Sequence, residues 1–360
     1  MLEKNKQTIS GINNSTVQQA QGNINNIILA GETTIKNLIY EVVRSELNIV
    51  AEEAHEKFGK MLDEFKNRLV EELAKLEKAQ EAINKFKEPR YQFILHDTIK
   101  EYAQSGREDT KSDLIDFLID RLQVDENSTE QFVIEDAIHI LPKLSYALTR
   151  FLGAVLMRRM EERNIAFIFR RNLEEQARLY EHLDEISNLD IAYLHQLGCC
   201  ETMPGLRHMV TIEEEMRQRY DLFFRRPTTM EAYNTFVSHN PILAPGINGI
   251  SFLYIDPTYD NECRLTNLST SSLKDDLRRA DKMNMWPALQ SFIDTLPPYS
   301  NDEIKEFLIS INPNWGKLIH LFHQEDIQRL RLTPVGVYIA NRIVQKEKMR
   351  VARATLRELF

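Results

Sequence analysis

The chain has little glycine or proline, 12 of each in 360 residues. That scarcity excludes a turn-dense architecture and points to long regular elements. It has three cysteines, and two of them, Cys199 and Cys200, are adjacent. Such usage excludes a disulfide framework and makes a reducing cytoplasm the expected setting. No apolar run approaches the roughly 18 residues of a membrane span, and the best one, Tyr146 to Met157, is broken by Arg150. The first residues are polar and no apolar h-region follows them, so no secretory signal is expected. GxxxxGK[ST] and GxGxxG are both missing, which excludes a P-loop ATPase, and the absence of GxSxG removes the common serine-hydrolase elbow. A net charge of −9 argues against a non-specific nucleic-acid binder, because such proteins are usually basic.

Charge itself is missing from one stretch. Between Lys6 and Glu32 there is no charged residue, although 28% of the chain is charged. The segment Gly11 to Gly31 is rich in Asn and Gln and carries an internal repeat. Ile12-Asn13-Asn14 recurs as Ile24-Asn25-Asn26, and Val17 recurs as Leu29. Gly22 and the Asn pairs are turn formers that tolerate positive φ. The pattern reads as two short β-rungs, too small to bury anything alone. Copies from several chains can stack through backbone bonds and amide ladders. This gives a self-association element built on Ile12, Asn13, Asn14, Val17, Gly22, Ile24, Asn25, Asn26, Ile27 and Leu29, with a disordered polar leader as the alternative.

What is present downstream is mostly helix. Thr33 or Thr34 can cap a helix with Glu32 near its start. From there to about Lys87 no proline occurs. Leu47, Val50, Ala54, Phe58, Leu62, Phe65, Leu69, Leu73, Leu76 and Ile83 mark one apolar stripe at a mean spacing of about 3.6. Acid-first i,i+4 pairs such as Glu64–Arg68, Glu71–Lys75 and Glu81–Lys85 line the other face. The expectation is one long helix, straight or with a bend, ended by Pro89. Helical patterns follow at 92–103, 111–122, 130–140, 145–162, 172–187, 190–197 and 212–224, with Ser128 or Thr129 as an N-cap. Asn240 to Ser269 holds most of the strand-like sequence, with ISFLYID the best strand. Near the end, Thr333 is an N-cap with Pro334 in the first helical position.

Three segments together resemble a known family. Glu101 to Arg159, with its DLIDFLIDRL and LSYALTRFLGAVLMRR helices, resembles the helical module of abortive-infection alpha-type proteins. LTPVGVYIA (Leu332 to Ala340) is similar to the last helix of their small winged-helix-like units. NSTVQQAQGNI (Asn14 to Ile24) is similar to the polar tags that front bacterial defence and signalling proteins. The whole layout, from leader to LTPxG ending, resembles a poorly characterised bacterial family. The resemblance implies an interaction or effector role in bacterial defence against phage. It supplies no catalytic residues. The long helix at Ile35 to Phe86 departs from the minimal module, which argues against the membrane-associated role of some relatives.

Several constellations could carry chemistry. His195, Cys199 and Cys200, with His208 nearby, have zinc-ligand atoms but lack CxxC spacing, so buried thiols beside satisfied histidines are the preferred reading. His320 and His323 share one helical face without an HExxH pattern or a third ligand. Ile212 to Asp221 is dense in carboxylates, which read as a solvated face rather than a catalytic acid and base. Basic residues gather at Arg158, Arg159, Arg163, Arg170 and Arg171, and again at Arg342, Lys346, Lys348, Arg350, Arg353 and Arg357. Of these, Arg342, Lys346, Arg350, Arg353 and Arg357 are the candidate contacts to nucleic acid or a protein partner.

The expected fold is mainly α: a short N-terminal β-type assembly segment (1–31), a long amphipathic helix (32–88), a helical domain (89–227) and a small α+β C-terminal unit (228–360) with a winged-helix-like end. The expected function is that of a cytoplasmic, homo-oligomeric, non-enzymatic phage-defence protein, triggered by a phage or host protein and needing no cofactor or metal. The competing expectations are a nucleic-acid-binding regulator, which is not favoured, and a metal-dependent hydrolase built on the His/Cys positions.

Overall fold

The computed structural model describes residues 52–158, 166–203, 210–243, 252–255 and 262–347, apart from the side chains of 52–58, 167 and 255. The self-association residues from Ile12 to Leu29 lie outside the described residues, as do Arg350, Arg353 and Arg357. The protein is mainly helical with small sheets, the fold class expected from its sequence. It divides into two compact units, Met1–Ser145 and Tyr146–Phe360. None of its described helices is long and apolar enough to cross a membrane.

In the first unit, α1 (Glu52–Ala74) lays its stripe inward: Leu62, Phe65, Leu69 and Leu73 are all buried. Only one large apolar residue, Leu76, stands between Leu73 and Ile83. The stripe thins there and the long helix breaks, with tight turns closed by Lys75 N–H on Glu72 O and Leu76 N–H on Leu73 O. A short α2 (Ala79–Lys85) follows. The break also rearranges the charge ladder. Glu64–Arg68 forms as expected at 2.6 Å, but Lys75 pairs with Glu72 and Lys78 with Glu81.

Pro89 does not merely stop a helix; it is the first residue of α3 (Pro89–Gln104), where its missing N–H costs nothing. Next come α4 (Glu108–Gln123) and α5 (Thr129–Ile140). Ser128 is the cap of α5, accepting from Gln131 N–H at 3.2 Å. Helix α1 packs on α3 and α4, and α5 packs on the same two helices. Tyr102 and Phe65 meet edge-on at 5.0 Å in the interior.

The second unit begins with α6 (Tyr146–Met157) and α7 (Ala166–Gln176). It continues through α8 (Asn188–Gln196), β1 (Cys200–Thr202) and α9 (Ile212–Arg219). Strand β2 (Thr228–Thr229), α10 (Met230–His239), β3 (Leu253–Ile255) and β4 (Glu262–Leu265) follow. The strand expected in ISFLYID is β3. It pairs antiparallel with β4, which also pairs with β2, giving the order β2-β4-β3. Helices α11 (Thr270–Arg279) and α12 (Trp286–Asp294) bury Leu273, Leu277, Leu289 and Phe292 in the core that contains this sheet. The chain ends through α13 (Asn301–Ile311), α14 (Asn314–Phe322), α15 (Glu325–Gln328), β5 (Leu330–Leu332) and α16 (Pro334–Lys346).

The LTPVG stretch closes this unit. Strand β5 pairs with β1, Leu332 opposite Cys200 and Leu330 opposite Thr202. Thr333 then donates its N–H to Cys199 O at 3.1 Å and its hydroxyl to Gly198 O, 135 residues away. The same hydroxyl accepts from Gly336 N–H at 3.2 Å, capping α16. Gly336 lies so close that a Cβ there would sit 2.0 Å from Cys199 O. The obstacle is backbone and cannot swing aside, so the position requires glycine. Helix α16 then packs along α6, with Ile343 against Gly153. Gly336→Ala should cost about 3 kcal/mol through forced separation of β1 and β5. Urea denaturation checks this, and a loss under about 1 kcal/mol would show that the two strands can part cheaply.

Candidate functional site

Two places in the second unit bring together side chains with reactive or ligating atoms. The first is the turn from α8 into β1. Ser187 and Asp190 form a capping box that sets the start of α8. Gly198, at φ +72°, reverses the chain at its end, and delivers Cys199 and Cys200 into β1. His195 faces back onto this turn. Its Nδ1 lies 3.0 Å from Cys200 O, and its Nε2 lies 3.3 Å from Thr202 Oγ1. Both ring nitrogens are thus spent on the local fold.

Cys199 and Cys200 are buried. Burial alone pushes the Cys199 thiol up to about 12, because a thiolate there would lose its hydration. A ligand thiol must ionise, so this corner resists metal binding and nucleophilic attack. Among the described residues no group of three or more His, Cys, Asp or Glu is placed to hold a metal ion. His208 lies outside the described residues.

The second place joins α6, α9 and α14. Thr211 and Glu214 form the capping box of α9. Its acidic first turn is not simply a solvated face. Glu215 accepts from Arg158 Nε at 2.5 Å and lies 3.5 Å from Arg219, while Arg219 donates to Arg158 O at 2.6 Å. Glu213 is 4% exposed and faces His323 at 3.5 Å. The reason for the difference is tertiary: packing of α6 and α14 brings Arg158 and His323 onto a helix face that looks solvated in isolation. His320 is exposed on α14 and does not join Glu213 and His323 in any ion pair.

A cavity of about 30 Å³ opens beside this network, lined by Arg158, Gln176, Tyr180, Glu215, Arg219 and Trp315 among others. That space holds about one water, far less than the several hundred Å³ a small-molecule ligand requires. Trp315 is spent on structure, donating from Nε1 to Leu173 O at 3.1 Å and meeting Tyr180 edge-on at 4.9 Å. Arg158 also stacks over Phe322 at 5.1 Å. The network fastens the end of α6 to α9.

Arg170 sits over the Phe307 ring at 5.5 Å, and Arg171 pairs with Glu175 at 3.0 Å. Arg342 and Lys346 lie half-buried on α16, and Arg159 and Arg163 lie outside the described residues. At the end of α16, Glu347 pairs with Arg150 at 2.6 Å, so a negative charge at a helix C-terminus is offset by the arginine that breaks the apolar run of α6. Sequence reasoning missed the Arg158–Glu215–Arg219 chain; the density of opposite charges in two distant segments was its only signal.

A protein-family model matches residues 32–351, and its description carries no activity. Neither a curated protein nor a solved structure matches the chain.

The thiols give a direct check of the His/Cys corner. The ordinary thiol value is 9.0, and Cys199 is raised from it to about 12. The thiolate therefore stays scarce until the pH climbs toward 12. At pH 8 the native protein should react with Ellman's reagent at well under one thiol per chain within minutes. Unfolding should release all three, since Cys199, Cys200 and Cys263 are free and buried. A fast-reacting native thiol at pH 8 that persists in Cys263→Ser would show a nucleophile or ligand in this corner.

Proposed function

We propose, from the premise that the chain belongs to this uncharacterised family, that the protein acts by assembly and partner contact rather than by catalysis. In this reading it is a homo-oligomeric interaction or effector protein of bacterial antiphage defence, working in the cytoplasm and triggered by a phage or host protein. The observation that carries the reading is the commitment of the His195–Cys199–Cys200 corner to the β1–β5 junction. The cluster with the best ligand atoms is used to hold two strands and a helix together. The defence role follows the resemblance of the Glu101 to Arg159 and LTPVG segments to abortive-infection proteins.

Assembly rests on the uncharged leader. In this reading each copy of residues 11–31 supplies a short β-type segment, too small to stand alone, whose backbone groups require partners. Bringing copies together satisfies those groups and buries Ile12, Val17, Ile24, Ile27 and Leu29. Local concentration then strengthens every other contact between chains. Replacing Ile24 and Ile27 with Asp should stack like charges at each level and lower the particle mass, with helix content almost unchanged by circular dichroism. Removing residues 1–31 should do the same. Light scattering decides the point, and an unchanged mass in both variants would rule out the leader as the assembly element.

A further inference from the structure

Two large aromatic side chains in the first unit are turned outward. Phe93 on α3 is 71% exposed and Phe132 on α5 is 50% exposed. They belong to one surface. Arg90, one turn before Phe93, lies over the Phe132 ring at 5.9 Å and 3.8 Å from Glu135. Further along, His139 of α5 lies 3.7 Å from both Asp97 and Glu101 of α3, and His96 lies 3.4 Å from Asp97. Contacts of 90 with 132 and 135, and of 97 and 101 with 139, show α3 and α5 running parallel. Arg90, Phe93, Asp97 and Glu101 recur at helical spacing on the outer side of α3.

The charges on this surface are ordered along the helix. Cationic Arg90 stands at one end, the aromatic pair in the middle, and carboxylates Asp97 and Glu101, with exposed Lys100 between them, at the other end. With a rise of about 1.5 Å per residue, Arg90 lies about 4.5 Å before Phe93 and Asp97 about 6 Å after it. A two-fold axis through Phe93 therefore sets Arg90 of one copy beside Asp97 of the other, twice. It also stacks the two aromatic pairs and removes them from water. Such a surface is complementary to itself, as an isologous interface requires. An apolar centre rimmed by matched charges has the anatomy of a specific contact.

We infer that the α3–α5 face, centred on Phe93 and Phe132, is a two-fold interface that receives the same face of a second copy of this chain. The inference rests on the reading that copies assemble, and it places a contact in the helical unit that does not involve the leader. In the assembly, Arg90 exchanges its long 3.8 Å contact with Glu135 for the partner copy's Asp97. The order of charges fixes the antiparallel orientation, since a parallel approach would set like charges together.

Charge exchange in the full-length protein tests the arrangement. Arg90→Glu and Asp97→Arg, made singly, should each weaken association by about tenfold, because both pairs of the two-fold contact become repulsive. The double variant restores opposite charges at both contacts and should recover the parent association in sedimentation equilibrium. Single changes without effect, or a double variant no better than either single, would overturn the proposal and indicate a different partner for this face. Phe93→Cys supplies a second measurement that does not depend on charge. With the three native cysteines buried, oxidised glutathione should link two copies through this residue, giving a covalent dimer on a non-reducing gel. The link should persist when Ile24 and Ile27 are Asp. Absence of the link in that background overturns the two-fold face, whereas a persisting link with unchanged particle mass overturns the leader alone.

Discussion

The close approach of Gly336 to Cys199 O is the constraint around which the second unit is arranged. No other residue allows the start of α16 to reach the β1 turn, and β1 and β5 can pair only if it does. Thr333 works on both sides of the junction: its hydroxyl caps α16 and also reaches back to Gly198 O. Two segments more than a hundred residues apart are thus fastened by backbone bonds. Helix α16 then follows α6, and Arg150 meets Glu347 at its far end. His195 and the two cysteines are part of the same device, which is why their chemistry is muted. A histidine with both nitrogens engaged and a thiol kept neutral by burial hold a turn in place.

Features that depend on near neighbours were legible in the sequence. The Ser128 and Thr333 caps, Pro334 in the first helical turn, the buried series Leu62, Phe65, Leu69 and Leu73, and strand β3 all follow from local spacing and side-chain type. A bend in the long helix is among the expectations, but the full break after Ala74 and its position were not legible in the sequence. Continuous helix propensity masks a gap in the apolar stripe, and only packing shows that Leu76 is too little to hold the turn. Pro89 illustrates an ambiguity of the same kind, since proline both follows one helix and opens another.

Features that depend on distant segments were not legible. Nothing near Gly336 announces that a backbone carbonyl 137 positions upstream will occupy the space of a Cβ. Glu213 and Glu215 look like members of a solvated acidic face until α14 and Arg158 are placed against them. The pairing of β1 with β5 joins the chain's LTPVG ending to the 146–202 region and not only to residues 228–360. Conversely, the exposure of Phe93 runs against expectation for a phenylalanine one residue before buried Ile94. It becomes intelligible once the face is matched with its own image.

Among the described residues the His195–Cys199–Cys200 corner and the Arg158–Glu215–Arg219 chain serve the architecture, and the proposed function rests instead on the uncharged leader and an outward aromatic face. Association of like chains is therefore the central claim. The most direct measurement is the native mass of the unmodified full-length protein across a concentration series, by mass spectrometry from non-denaturing buffer. The account predicts integer multiples of the chain mass, with the dimer or a larger assembly dominant at micromolar concentration. A single chain at every concentration up to about a hundred micromolar would contradict it.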